Sequence, residues 1–458
     1  MKRVLLLFAL VLPLAVLLVA CGGGSSTSSS SSLSSGSQSA SVFVTGEDAP
    51  MPSVLAFNVT LNSITLNNSS GSVQVLAQPA TVDFARLLGL RSLLGFDTVP
   101  VGTYDSATIQ LSNPVISYLN IGTNPPTVAT MNGTLSSSTV TVSLPAAIVV
   151  GSGGMAGLHM DFDLRKSLEV DGSGQITGVV DPHIYLAGVT AGDDGGQITD
   201  FVGGLVSVNV AGNSLVMQGP YGFQLTVDVN SETQFNSPWN LMNLATPAVV
   251  SIEGTMQADG SVLASDVEVI TTSKAFISGR ILAVNPGPVV TMFVGEELPA
   301  LSSIPVDSVQ TIDLSQVTSY DVCFLDNWVT NQLFNSTSLV VGQRIFIGGS
   351  YDSSSNVFTP SMVSLRRQGV VGDLVSGSVN IVSNNQGSFE LQNNLLLGYV
   401  LGGPLTVDTG DRTYFINING LAGLQAAGST NLVVRGLIFK DPVSGNPVMW
   451  AHRVRVLP

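Results

Sequence analysis

Three kinds of segment recur after residue 200, and their recurrence limits the fold more than any other feature of the chain. Gly204-Leu205-Val206-Ser207-Val208-Asn209 corresponds to Gly279-Arg280-Ile281-Leu282-Ala283-Val284-Asn285 and, more loosely, to Gly372-Asp373-Leu374-Val375. Leu225-Thr226-Val227-Asp228 leading to Thr233-Gln234-Phe235 corresponds to Leu405-Thr406-Val407-Asp408 leading to Thr413-Tyr414-Phe415, with Ile304-Pro305-Val306-Asp307 as a looser middle copy. Val249–Gly254, Gly342–Gly348 and Asn431–Gly436 are each followed by a turn and a last strand, at Ala264–Val269, Ser361–Leu365 and Ala451–Val456. Such self-similarity marks copies of one supersecondary unit. Five or six short strands in this order, with Asp259-Gly260 as a hairpin turn, predict a small closed or nearly closed barrel on an OB-like Greek-key path. Closure removes sheet edges that otherwise pair with other chains. The expected modules are 200–273, 274–367 and 368–458.

Upstream, period-two alternation begins at Ser41 and is plain in Val54-Leu55-Ala56-Phe57-Asn58-Val59-Thr60-Leu61 and Ile64-Thr65-Leu66. It predicts strands with one buried face, gathered into a β-sandwich-like domain over 41–195. Between Val82 and Phe96 the period changes. Phe84, Leu87, Leu88 and Leu94 stand at near-helical spacing, so one short helix is expected there. Gly102-Thr103-Tyr104-Asp105 reads as a turn into the strand Ala107–Leu111, ended by Pro114. The whole is an all-β chain.

The start of the chain is of another kind. Lys2-Arg3 precede an apolar run from Val4 to Ala20, the pattern of an export signal over 1–20. Residues 22 to about 40 are almost wholly Ser, Gly and Thr and cannot bury a core; as a flexible tether over 21–40 they reach roughly 25 Å root-mean-square. Leu18-Val19-Ala20-Cys21 resembles the lipobox of bacterial lipoproteins. That resemblance implies cleavage between Ala20 and Cys21 and a lipid on the Cys21 sulfur, so the membrane is a partner through this one residue. Gly22, in place of an Asp after the cysteine, implies outer-membrane attachment in a two-membrane envelope. Later apolar runs such as Ala146–Val150 fall far short of the roughly 20 residues that a spanning helix needs.

Two further resemblances follow from residues. Asp48-Ala49-Pro50, Val82-Asp83-Phe84, Val99-Pro100-Val101-Gly102-Thr103-Tyr104 and Asp161-Phe162-Asp163-Leu164 with Ser167-Leu168 and Pro182 resemble the bacterial lipoprotein family called domain of unknown function 4382, over about 41–190. The repeated strand order resembles the small β module called domain of unknown function 5666. Both imply architecture and an envelope setting, and neither implies an activity.

Formal charge narrows the partners. The chain carries −15, and loss of Lys2 and Arg3 with the signal segment makes it −17, which disfavours nucleic acid. No Lys or Arg lies between Lys166 and Lys274 while twelve Asp or Glu do, whereas from Arg366 onward there are seven Arg or Lys against five Asp or Glu. The plain reading is solvated surface. The sharper reading is that the last module docks on its acidic neighbour or on an anionic surface.

Residues that bear chemistry are sparse. Cys21 and Cys323 are the only cysteines, and Cys323 sits in the apolar Asp321-Val322-Cys323-Phe324-Leu325, a setting for an inert buried thiol. His159, His183 and His452 show no metal-ligand spacing. His159 and Asp161 share one face of a strand, a conceivable metal or acid–base pair against the commoner packed role. Asp193-Asp194-Gly195-Gly196 lacks the alternating ligands of a calcium loop and reads as an interdomain turn. Gly151-Ser152-Gly153-Gly154-Met155 precedes a strand pattern, not a helix, so it is no phosphate cradle. No catalytic residue, metal or cofactor is assigned. The expectation is a lipid-anchored cell-envelope protein whose β modules bind a cell-wall glycan or envelope protein without catalysis; a hydrolase of extracellular polymer, with paired carboxylates from distant strands, and a passive surface spacer are the rival readings.

Overall fold

The structure, a computed structural model, describes residues 39–49, 51, 53–120, 122–123, 127–192, 194–273, 275–322, 334–392 and 403–457. Gln38–Pro458 form one compact unit. Cys21 and Ala20, the signal segment and nearly all of the tether lie outside the described residues, as do Cys323 and Asp193. The first strand opens at Ser39, so Ser39 and Ala40 belong to the folded body.

The first domain has two large sheets and a small third one of Leu168–Val170, Ile176–Val180 and Thr134–Leu135. Ile184–Thr190, Met155–Asp163, Ser39–Ala49 and Ser92–Pro100 neighbour one another in that order, with Ser39–Ala49 parallel to Met155–Asp163. Opposite lie Gly71–Gln74, Val54–Asn68, Gly102–Asn120 and Thr127–Asn132, with Ala80–Asp83 on Val54–Asn68 and Thr139–Val150 on Gly102–Asn120. Alternation decides which residues meet between the sheets: Phe57, Val59, Leu61, Ile64 and Leu66 are fully buried from one strand. Phe162 bridges Phe57 and Phe84, its ring 5.2 and 5.0 Å from theirs.

The helix expected over Val82–Phe96 is not formed. Ala80–Asp83 is a strand, Ala85–Leu87 a single 3-10 turn, and Ser92–Pro100 pairs with Ser39–Ala49. Gly89, at φ 63°, turns the chain out of any helix, and the open edge of the first strand offers a full ladder of hydrogen bonds that a short helix does not match. The helical element of this domain is Leu164–Ser167, where Asp163 accepts the Lys166 N–H at 3.2 Å.

Beyond it, three barrel-like modules repeat one strand order, and hydrogen bonding closes the first and third into rings while the middle sheet runs as an open path. In the first module Gln197–Asn209 pairs with both Ser214–Gln218 and Val249–Met256; Ser214–Gln218 pairs with Gln224–Asp228, and Val249–Met256 with Val262–Thr271. Parallel pairing of Val227 with Val262 closes the ring. This is the OB order, first-second-third-fifth-fourth-first. The third module repeats it through Gln368–Leu374, Gln386–Gln392, Leu405–Thr409, Asn431–Lys440 and Pro447–Val456, closed by Thr406 beside Val448, with a helix Gly420–Ala427 between third and fourth strands. The middle module runs Ala275–Asn285, Val289–Leu298, Ser308–Asp313, Arg344–Asp352 and Val357–Arg366. Its third strand is therefore Ser308–Asp313, not the Ile304–Asp307 copy expected from sequence; Asp307 has φ 59°, in the left-handed region, and stands just before the strand. All three add a short strand parallel to the fifth: Gln234–Phe235, Ser319–Val322 and Tyr414–Ile416.

The fourth strand bends at the same place in each copy. The pairing shifts at Glu253/Gly254, Gly348/Gly349 and Arg435/Gly436. A Cβ on Gly254, Gly349 or Gly436 would sit 2.4, 2.3 or 2.0 Å from a carbonyl oxygen of the fifth strand, so only glycine fits the corner.

Packing joins the four bodies. Phe43, Leu93 and Met155 of the sandwich enter the core of the first barrel, and Leu437 and Phe439 of the third barrel enter that of the second. Between first and second barrels runs a buried ion network. Arg366 has no exposed surface, ion-pairs with Asp200 and Glu268, donates to Ser251 Oγ at 2.8 Å and lies 4.3 Å above the Phe346 ring. Arg344 joins Asp200 to Glu296, and Arg86 of the sandwich completes the chain at Glu296. The acidic stretch without Lys or Arg is thus the receiving side of a docked interface.

Candidate functional site

Most chemistry-bearing residues singled out in the sequence serve the fold. His159 Nδ1 lies 3.1 Å from Thr45 Oγ1 and its Nε2 lies 3.5 Å from Glu47, whose carboxyl is held down at about 2: burial pushes it up, and the His159 hydrogen bond and Arg91 outweigh that. Asp161 is mostly buried and its carboxyl is raised, by burial and then by Glu47. His159 thus engages Thr45 and Glu47, and acts on Asp161 through its charge. His183 contacts the Asp181 carbonyl at 2.9 Å. No group of three metal-ligating side chains occurs among the described residues. Asp194–Gly196 is a 3-10 turn into the first barrel, and Gly151–Gly154 joins two strands.

His452 has a different place. It lines a cleft of 780 Å³ between the sandwich, the first barrel and the third. That is within the size of small-molecule sites, about 300–1,000 Å³. Four arginines reach it, Arg91, Arg367, Arg435 and Arg453, against two acids, Glu253 and Asp266. In a chain of formal charge −15 this is a local reversal of sign.

Strand register builds the walls. On the third barrel, Tyr414 lies beside Arg453 in the parallel pair and Arg453 lies across from Arg435 in the antiparallel one, so the three form one row over three strands. The first barrel carries the equivalent row Gln234, Asp266 and Glu253. Both rows line the cleft and meet where Arg435 Nη2 donates to Glu253 Oε1 at 2.8 Å, with Arg367 Nη1 3.3 Å from Oε2. In the middle barrel the same row is Ser319, Met362 and Gly348, without charge. Thr413 Oγ1 donates to the Ala451 carbonyl at 2.8 Å and pins the strand that presents Tyr414, a residue 65% exposed whose ring lies 5.8 Å from that of His452.

Electrostatics along the basic wall are uneven. Glu253 is held below the usual carboxylate range: burial pushes it up, but Arg435 and Arg367 outweigh it. Arg453 is pushed down to about 10 by burial and then by Arg435, with Arg91 and Arg455 adding and Glu47 opposing. It stays cationic at neutral pH. Its Nη2 donates to the Gly89 carbonyl at 2.8 Å, and among the described residues no carboxylate forms an ion pair with it. Arg435 Nε is buried without a hydrogen-bond partner. A second cavity, of 380 Å³, sets Asp83, Glu296 and Glu297 against Arg86 and has no such excess of positive charge.

Comparison with known proteins extends the fold and stops short of an activity. Residues 39–177 match the family described as Domain of unknown function (DUF4382), and residues 203–268 match Domain of unknown function (DUF5666). The first falls on the sandwich and the second on the first barrel. No curated protein matches the chain. Four solved chains do, among them one titled drosophila Unr CSD456, with 10% identity, covering 57% of this chain and 98% of that one, at a TM-score of 0.14.

In the sequence His452 stands without a ligand spacing, and nothing in it brings the four arginines together. The available signal was the excess of Arg after residue 366 against an acidic middle.

Proposed function

We propose that this chain is a lipid-anchored cell-envelope protein that binds an envelope glycan without transforming it, holding the glycan in the cleft between sandwich, first barrel and third barrel. The anchor rests on the lipobox-like Leu18–Cys21. The observation that carries the binding role is the meeting of four arginines from separate parts of an acidic chain in one cleft. The test is calorimetric titration of the mature lipidated protein, in non-ionic detergent, with glycans released from native envelopes. Saturable binding with unaltered glycan recovered afterwards is expected; absence of binding, or shortened glycan, would overturn the reading. Mass measurement of the Cys21→Ala variant beside wild type checks the anchor: acyl mass on the wild type alone is expected.

A further inference from the structure

We propose that the ligand of this cleft is an acidic sugar, with Arg453 gripping its anionic group and Tyr414 carrying the face of its ring; this rests on the glycan-binding reading above. Directly opposed like charges on neighbouring strands destabilise a sheet, so the pair Arg435 and Arg453 is a cost the fold itself does not need. Glu253 offsets Arg435, and among the described residues the polar partner of Arg453 is the Gly89 carbonyl, which takes one of five donors. The planar fork that remains suits a carboxylate or a phosphate, each of which offers two oxygens at the right spacing. Arg453 lies buried among Arg435, Arg91 and Arg455, which draw an anion toward it, while Glu47, paired with Arg91 and Arg455, offsets part of that charge.

The neighbours along the row decide what carries that anion. Tyr414 presents a largely exposed ring beside Arg453 at the mouth, a flat apolar surface for the C–H face of a sugar. On the facing row lie the amide of Gln234 and the carboxylate of Asp266, which accepts from Ser265 Oγ at 2.7 Å; the Gln234 amide suits a hydroxyl group. A ligand with an anion on one side and hydroxyls on the other matches both walls. A nucleic acid strand brings a phosphate at every step and stacks on several rings, whereas the cleft mouth offers one exposed ring in a chain of net charge −15.

The test uses the full mature chain in non-ionic detergent, titrated with trigalacturonate, its methyl ester, galactose 1-phosphate, galactose and oligo-dT. At least tenfold preference for an acidic sugar over its neutral counterpart is expected, with the uronate and phosphate arms telling which anion is favoured. Arg453→Gln is expected to bring the preference to near unity. Tyr414→Ala, at an exposed site that the fold tolerates, is expected to weaken both acidic and neutral forms severalfold and leave the preference intact. Arg165→Gln, at an exposed arginine remote from the cleft, leaves affinity unchanged. Equal binding of ester and acid overturns the acidic-sugar proposal while the glycan reading stands. Failure of every sugar to bind overturns both, and tighter binding of oligo-dT overturns the proposal in favour of nucleic acid. Thermal melts of each variant identify any loss that comes from unfolding, and the Tyr414→Ala and ester comparisons decide the matter if Arg453→Gln does not fold.

Discussion

Replacing Arg366 by Met tests whether the barrels are held by the ion network. Met keeps most of the apolar stem against Phe346 and removes the charge. Arg366 is fully buried and serves two carboxylates at once, Asp200 and Glu268. Asp200 keeps Arg344, but Glu268, which is 1% exposed, keeps among the described residues only the Ser364 hydroxyl at 2.6 Å. Removing one partner of a buried pair and leaving the other charge behind costs about 3–5 kcal/mol. Most of that loss therefore belongs to the orphaned Glu268. Adding Glu268→Gln removes the orphan and is expected to restore more than half of the stability. The assay is urea unfolding of the folded body followed by circular dichroism and tryptophan fluorescence, with Trp239 in the first barrel and Trp450 in the third. A loss under about 1 kcal/mol for the single variant, or no recovery in the double, would refute the account.

Other outcomes follow from neighbouring features. Asp48 is buried beside Asp161 without a well-formed hydrogen bond to either oxygen, and burial, then Asp161, raises its carboxyl well above the ordinary range. A raised carboxyl has its stabilising, protonated form complete below the unfolded value near 4 and loses it as pH rises, so Asp48→Asn should raise Tm at pH 8 and change little at pH 4; an equal shift at both pH values would count against it. Glu47 runs the other way. Its carboxyl sits at about 2, so its contribution is present above its ordinary value of 4.5 and fades as pH falls toward 2; Glu47→Gln should lower Tm at pH 7 and have no effect near pH 2. Gly436→Ala puts a Cβ 2.0 Å from the Trp450 carbonyl and should cost about 1–3 kcal/mol in urea unfolding, while Gly403→Ala, with nothing within 4 Å, should be nearly silent.

What was legible in the sequence was local or repeated. The fourth strands stood out because their apolar alternation runs onto a glycine, as in Ile252-Glu253-Gly254 and Val434-Arg435-Gly436, and that glycine is the corner of the barrel. The third strand of the middle barrel was displaced because Ile304-Pro305-Val306-Asp307 imitates the motif while the hydrogen-bond ladder begins one residue later. Val82–Phe96 misled because apolar spacing alone does not register an open strand edge waiting to be paired. The cleft was hidden for a different reason. Its walls meet over long separations, Glu253 and Arg435 lying 182 residues apart, and the row Tyr414, Arg453 and Arg435 exists only once strands from three segments are in register. The charge imbalance between middle and end was visible, and its meaning became plain with the pairing of Arg366 to Asp200 and Glu268.

The two equivalent rows, Gln234, Asp266, Glu253 and Tyr414, Arg453, Arg435, bear on how a repeated chain avoids confusing its own copies. Barrels with one backbone path are in principle interchangeable, so a neighbouring molecule is a standing competitor for each internal contact. Opposite charges at matching seats remove that ambiguity, because first barrel against first barrel sets Glu253 before Glu253, and third against third sets Arg435 before Arg435. Only the unlike pair closes with its charges balanced. The neutral middle copy, with Ser319, Met362 and Gly348 at those seats, carries no address in this code. Reordering the modules by circular permutation should therefore be tolerated as long as one acidic and one basic copy remain, whereas a chain with two copies of the same sign should assemble with a partner molecule instead of with itself.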